Sequence, residues 1–187
     1  DVLGSRGLGD VYKRQMYYFP NLDNKTRLIM INEFERDIKN CLFYEPSSMK
    51  SEYVSSYKLL LRKYFEVGQI EGLEKALKPS FIKAKDKNCR KTPSNITQII
   101  AFSDFNRYYV RAILIRAIDE GKSVSIYRAK QSLNERAESK ALINKCYREK
   151  RTLEQMLRII RDYRILFSSQ SKITFLQPNS GLSLKLI

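Results

Sequence analysis

The sequence predicts an α+β fold, mainly α. A helical body is expected to carry a small antiparallel β element, with a strand near 123–128 and a C-terminal hairpin over 172–186. Three observations lead there. Apolar residues recur three and four apart over most of the chain, the spacing of one helix face. Strict alternation is confined to Ser123-Val124-Ser125-Ile126-Tyr127-Arg128 and to the C-terminal segment. A length of 187 residues, 43% hydrophobic and 29% charged, suits one domain and is too apolar for a disordered chain.

Residues 1–15 stand apart. Ser5–Gln15 resembles the in-frame translation of a transposon-based sequencing adaptor, so 1–15 is set aside as an artefact of that origin. The expected single domain is 16–187, with its natural start at Met16 or upstream. A first helix is expected from Asn24 to Asn40, capped by Asn21 or Asp23, with Leu28, Ile31, Phe34, Glu35 and Ile38 on its inner face. A second, about Ser48 to Val67, aligns Tyr53, Tyr57, Leu60, Leu61, Tyr64 and Phe65 and stops at Gly68. A short third, Gln69 to Lys78, ends before Pro79.

Lys78–Lys91 is the sharpest compositional shift. It holds Lys78, Lys83, Lys85, Lys87, Arg90 and Lys91 against Asp86 alone, and reads as a mobile basic loop between two helical halves. A short helix, Ser94 to Phe102, then leads to Ser103 as the cap of a strong helix to Glu120. That helix has the broadest apolar face of the chain and is expected to be central, ending at Gly121. After the strand near 123–128, Asn134 to Tyr163 favours helix, either one or two broken near Lys150, with the stripe Leu142, Cys146, Leu153, Met156, Leu157 and Ile160. The hairpin pairs Lys172–Leu176 with Leu182–Leu186 around Gln177-Pro178-Asn179-Ser180-Gly181.

Composition narrows function. There is no His, the commonest general base and metal ligand. No phosphate loop, nucleophile elbow or metal-ligand spacing occurs, so neither a cofactor nor a metal is expected. The three cysteines, Cys41, Cys89 and Cys146, are far apart and suit free thiols in a reducing cytoplasm. No apolar run approaches the ~20 residues of a membrane span, so no membrane partner is expected. Lys and Arg number 35 against 20 Asp and Glu, a formal charge of +15. Residues 1–15 hold three basic and two acidic groups, so the surplus belongs to the rest of the chain. Cationic excess repels itself, and an anionic partner relieves it.

Three groups of residues are candidates for that contact. Arg107 and Arg111 lie four apart on one helix beside Tyr108 and could grip a phosphate or carboxylate. The plain alternative is pairing of such arginines with Asp104, Asp119 and Glu120. Arg128, Lys130 and Arg136 follow the predicted strand, where ligand-facing groups or an ordinary solvated connection would sit. Lys140–Arg164 carries a net charge of +5, with Arg148, Arg151, Arg158 and Arg161 on one side of a helix near Tyr147 and Tyr163. A solvated helix face is the alternative there.

Phe105-Asn106-Arg107-Tyr108-Tyr109-Val110-Arg111, Tyr127-Arg128-Ala129-Lys130, Glu138-Ser139 and Pro178-Asn179-Ser180-Gly181-Leu182-Ser183 resemble motifs of a family of short uncharacterised open reading frames from bacterial and phage-rich metagenomes. The opening Tyr17-Tyr18-Phe19-Pro20-Asn21-Leu22-Asp23 fits the same set. The likeness covers most of 16–187 as scattered motifs, and the basic loop and Arg-rich helix depart from it. It implies a phage or mobile-element setting and supplies no activity or site residue.

The expectation is a non-enzymatic nucleic-acid-binding module. Its anion-binding residues would be Lys83, Lys85, Lys87, Arg90, Lys91, Arg107, Arg111, Arg128, Arg136, Arg148, Arg151, Arg158 and Arg161, with DNA or RNA as partner. One alternative is a phage or mobile-element assembly component that meets an acidic protein partner. A second is a metal-dependent nuclease built on acids such as Glu138.

Overall fold

The computed structural model describes residues 17–85, 89–131, 136–177 and 180–187. The expected artefact at 1–15 therefore lies outside the described residues, as do Lys87, Glu135 and the Pro178-Asn179 turn. The helices are α1 (Asn24–Lys39), α2 (Val54–Val67), α3 (Ile70–Ala76), α4 (Ile96–Glu120), α5 (Ala137–Lys140), α6 (Lys150–Arg161) and α7 (Tyr163–Leu166). The strands are β1 (Val124–Arg128), β2 (Cys146–Tyr147) and β3 (Leu182–Leu186), in one antiparallel sheet of order β2-β1-β3. The fold is α+β and mainly α. No helix among the described residues is long and apolar enough to cross a membrane.

Helix α4 is the axis. It packs against α1, α3, α6 and β3, which is why nearly every residue from Ile100 to Ala117 is buried. It runs unbroken for 25 residues, so the cap expected at Ser103 does not form. An N-cap needs extended backbone before a helix start. Ser103 lies inside the helix, and no proline from Ile96 to Glu120 removes a helical donor. Gly68 and Gly121 close α2 and α4 in the left-handed region, with φ of 72° and 65°, as their positions predicted.

Three further expectations are corrected. The inner stripe of α1 is Thr26, Met30, Glu33, Phe34 and Asp37, while Leu28 and Ile38 stand exposed. The helix turns its acidic edge inward because α4 and α6 present arginines there. Of the two readings of 134–163, the one broken near Lys150 holds, since α6 begins there, but a strand and not helix directly precedes the break: Asn144 takes a left-handed φ of 67° and directs the chain into β2. Residues 172–176 form no strand. Ile173 and Phe175 alternate into the core, but Asn21 and Asn106 already occupy the outer edge of β3. The Leu186 N–H donates to Asn21 Oδ1 at 2.9 Å, and Asn106 Nδ2 donates to the Leu182 carbonyl at 2.8 Å.

The basic segment 78–91 is described apart from residues 86–88. Its described residues are tied down by a 3-10 turn over Pro79–Phe81 and by bridges between Met49 and Ile82 and between Lys85 and Lys91. The Lys50 N–H donates to the Phe81 carbonyl (2.9 Å), that of Lys83 to Ser48 (2.8 Å) and that of Thr92 to Ala84 (3.0 Å).

Candidate nucleic-acid interface

The first candidate pair is not on the surface. Arg107 and Arg111 are 3% and 1% exposed. Arg107 Nη2 donates to Asp104 Oδ1 at 2.8 Å, and Asp104 also accepts from the Tyr57 hydroxyl. Arg111 Nη1 donates to Asp37 Oδ2 at 2.6 Å, and the same oxygen accepts from the Tyr108 hydroxyl at 3.0 Å. The rest of the Arg111 fork reaches the Ile160 carbonyl, from Nη2 at 3.0 Å and Nε at 3.3 Å. That carbonyl belongs to the last turn of α6, which lacks a helical donor. Arg161 holds Glu33 with two bonds of 2.9 and 2.5 Å.

Three arginines thus meet three carboxylates where α1, α4 and α6 converge. Burial pushes the Asp104 carboxyl above its ordinary range, with Arg107 and Tyr57 pulling the other way. Burial also raises Tyr57 and Tyr108 well above ordinary phenols. The expected anion-gripping role of Arg107, Arg111 and Arg161 is corrected on this ground: their guanidinium groups are already committed to carboxylates. The plain alternative, an internal pair with Asp104, holds for Arg107, and Arg116 pairs with Glu120 (2.9 Å) and Asp23 (2.7 Å). The signal for this core was legible as two patterns. Glu33 and Asp37 lie four apart on one helix and Arg107 and Arg111 four apart on another, but only packing joins them.

Arg128, half-buried, donates from Nη1 to the Ser180 carbonyl at 3.2 Å, and Arg136 is exposed. These two do not join Arg107 and Arg111 in a shared site.

Because the buried network is balanced, the positive surplus lies outside it. One place where it gathers is a groove of about 400 Å³ between Pro79, residues 82–84, residues 91–94 and the start of α4. Lys50, Lys83 and Lys91 line it over a floor of Ile82, Pro93 and Ile96, with no carboxylate in the described lining. Lys83 Nζ donates to the Ser47 carbonyl at 2.9 Å, and Lys50, Lys85 and Lys91 pair with no described carboxylate. Lys83, Lys85, Arg90 and Lys91 are all exposed. Beside the groove the Tyr53 and Phe81 rings stack, centroids 4.4 Å apart, and Lys50 Nζ lies 5.8 Å from the Tyr53 ring. Lys50, Tyr53 and Phe81 were not among the residues expected from sequence. Lys50 lies outside the basic run, and only the bridge between Met49 and Ile82 brings it there.

On α6 and just before it, Arg148, Arg151 and Arg158 are exposed and pair with no described carboxylate. Leu153, Met156, Leu157 and Ile160 take the opposite, buried face. Glu138 is exposed, and among the described residues no three Asp, Glu or Cys side chains gather as a metal site would require.

No family model, curated protein or solved structure matches the chain.

Proposed function

We propose that this protein binds the phosphate backbone of DNA or RNA, with the lysine groove as its principal contact and the exposed arginines of α6 as a second. The observation that carries the reading is the set Lys50, Lys83, Lys85 and Lys91, gathered without a described carboxylate partner beside a stacked Tyr53–Phe81 pair. Unpaired ammonium groups release counterions when they meet phosphates, and part-exposed rings offer a surface on which a base stacks. The internal acids are consumed by internal arginines and do not oppose such a partner. The reading is non-enzymatic. The setting that goes with it is a phage or mobile element in a bacterial cytoplasm, where the exposed thiols of Cys41, Cys89 and Cys146 stay reduced.

The test is fluorescence anisotropy with labelled single-stranded and duplex oligonucleotides across a salt series. Binding at ~50 mM salt is expected to weaken steeply by ~200 mM. The Lys50→Ala/Lys83→Ala/Lys91→Ala variant should lose affinity and flatten the slope of log affinity against log salt by about two to three. No association at ~50 mM salt overturns the proposal, and so does a variant that retains the wild-type slope.

A further inference from the structure

We infer that a second cleft, away from the lysine groove, is a binding site for an amphiphilic monoanion of the medium-chain carboxylate class. The cleft lies between β1, β2, α6 and residues 172–175 and has a volume of about 390 Å³. It shares no lining residue with the lysine groove. Its size falls within the range of small-molecule sites. At roughly 30 Å³ for each water-sized unit, it holds about a dozen non-hydrogen atoms. A two-tailed membrane lipid is far larger, whereas a single ten-carbon chain with a carboxylate fits.

The chemistry of the walls selects the occupant. Ile126, Met156, Ile173 and Phe175 form an apolar floor, each at most 5% exposed. Protein interiors leave few voids larger than a water molecule, and apolar walls without a neighbour forfeit dispersion contacts. An apolar body restores them. Lys145 and Lys172 stand exposed at the rim, neither pairs with a described carboxylate, and no carboxylate is among the described lining residues. Two ammonium groups over an apolar floor call for one negative head on an apolar tail. Residues 172–175, which form no strand on β3, make up one wall of the cleft, with α6, β1 and β2 supplying the others.

Titration calorimetry tests this, with decanoate held below its micelle concentration and with 1-decanol and decylammonium as comparators. Decanoate should saturate one site, decanol should bind about tenfold more weakly for want of the charged hydrogen bonds, and decylammonium weaker still. Lys145→Gln/Lys172→Gln should lower decanoate to the level of decanol and leave decanol unchanged. Gln155→Trp, at the exposed edge of the lining, should fill the cleft and abolish both. All three positions lie on the rim, and circular dichroism confirms that the variants fold. The inference is overturned if decanoate shows no saturable heat up to about 1 mM. It also falls if the three probes bind alike, or if the double lysine variant binds decanoate as tightly as wild type. Each result is independent of nucleic-acid binding.

Discussion

Arg111 shows how a residue type that suggests a surface site becomes an internal fastener. Its guanidinium donates once to Asp37 on α1 and twice to the Ile160 carbonyl on α6, so one side chain joins three helices. A buried pair is weak evidence for net stability, but removing one partner leaves a buried charge uncompensated. Asp37→Ala is therefore expected to destabilise the protein by about 3–5 kcal/mol in urea denaturation. The paired change to apolar residues, Asp37→Leu with Arg111→Met, should recover much of that loss. Glu120 is held differently, accepting from Lys122, Lys25 and Arg116 at 2.8, 2.8 and 2.9 Å. Those donors keep its carboxyl far below the ordinary range. With the folded-state value depressed, its contribution is present above the unfolded value and is lost as pH falls through the folded one. Glu120→Gln should accordingly flatten the acid limb of a stability-versus-pH curve below about pH 4 and change its slope little near neutrality.

At the scale of elements, β3 is the informative case. Strand β1 fills one of its edges, and two asparagine side chains fill the other where a hairpin partner was expected. An open edge is a template for pairing with another chain, and polar side chains that cap its backbone blunt it. Asn21→Ala should speed hydrogen exchange at the Leu186 amide, whose acceptor it removes. Asn106→Ala should cost about 1–3 kcal/mol in chemical denaturation by leaving the buried Leu182 carbonyl unpaired. The same competition explains what was legible. The alternation at 182–186 and 124–128 marked true strands, whereas that at 172–176 coincides with the burial of Ile173 and Phe175 and not with a strand. It could not tell that the edge they would join was already taken.

For the whole molecule, the decisive quantity is where charge ends up. The +15 surplus is a property of composition. Its distribution follows from the fold, which buries Arg107, Arg111 and Arg116 and no described lysine. Guanidinium is weakly hydrated and forks onto carboxylates, so it tolerates burial, whereas the ammonium of Lys50, Lys83 or Lys91 stays near water. A nucleic-acid complex is thus expected to depend on the groove lysines. Arg107→Met should reduce binding only in proportion to lost folding, measured by comparing anisotropy with the folded fraction from circular dichroism.

The sequence by itself determined the fold class, the glycine stops of α2 and α4, the central place of the long helix and the excess of positive charge, because periodicity, caps and composition are local properties. Tertiary structure decided which of those charges face solvent. Asp37 and Arg111 are 74 residues apart, and their pairing depends on how three helices pack rather than on any pattern within one of them.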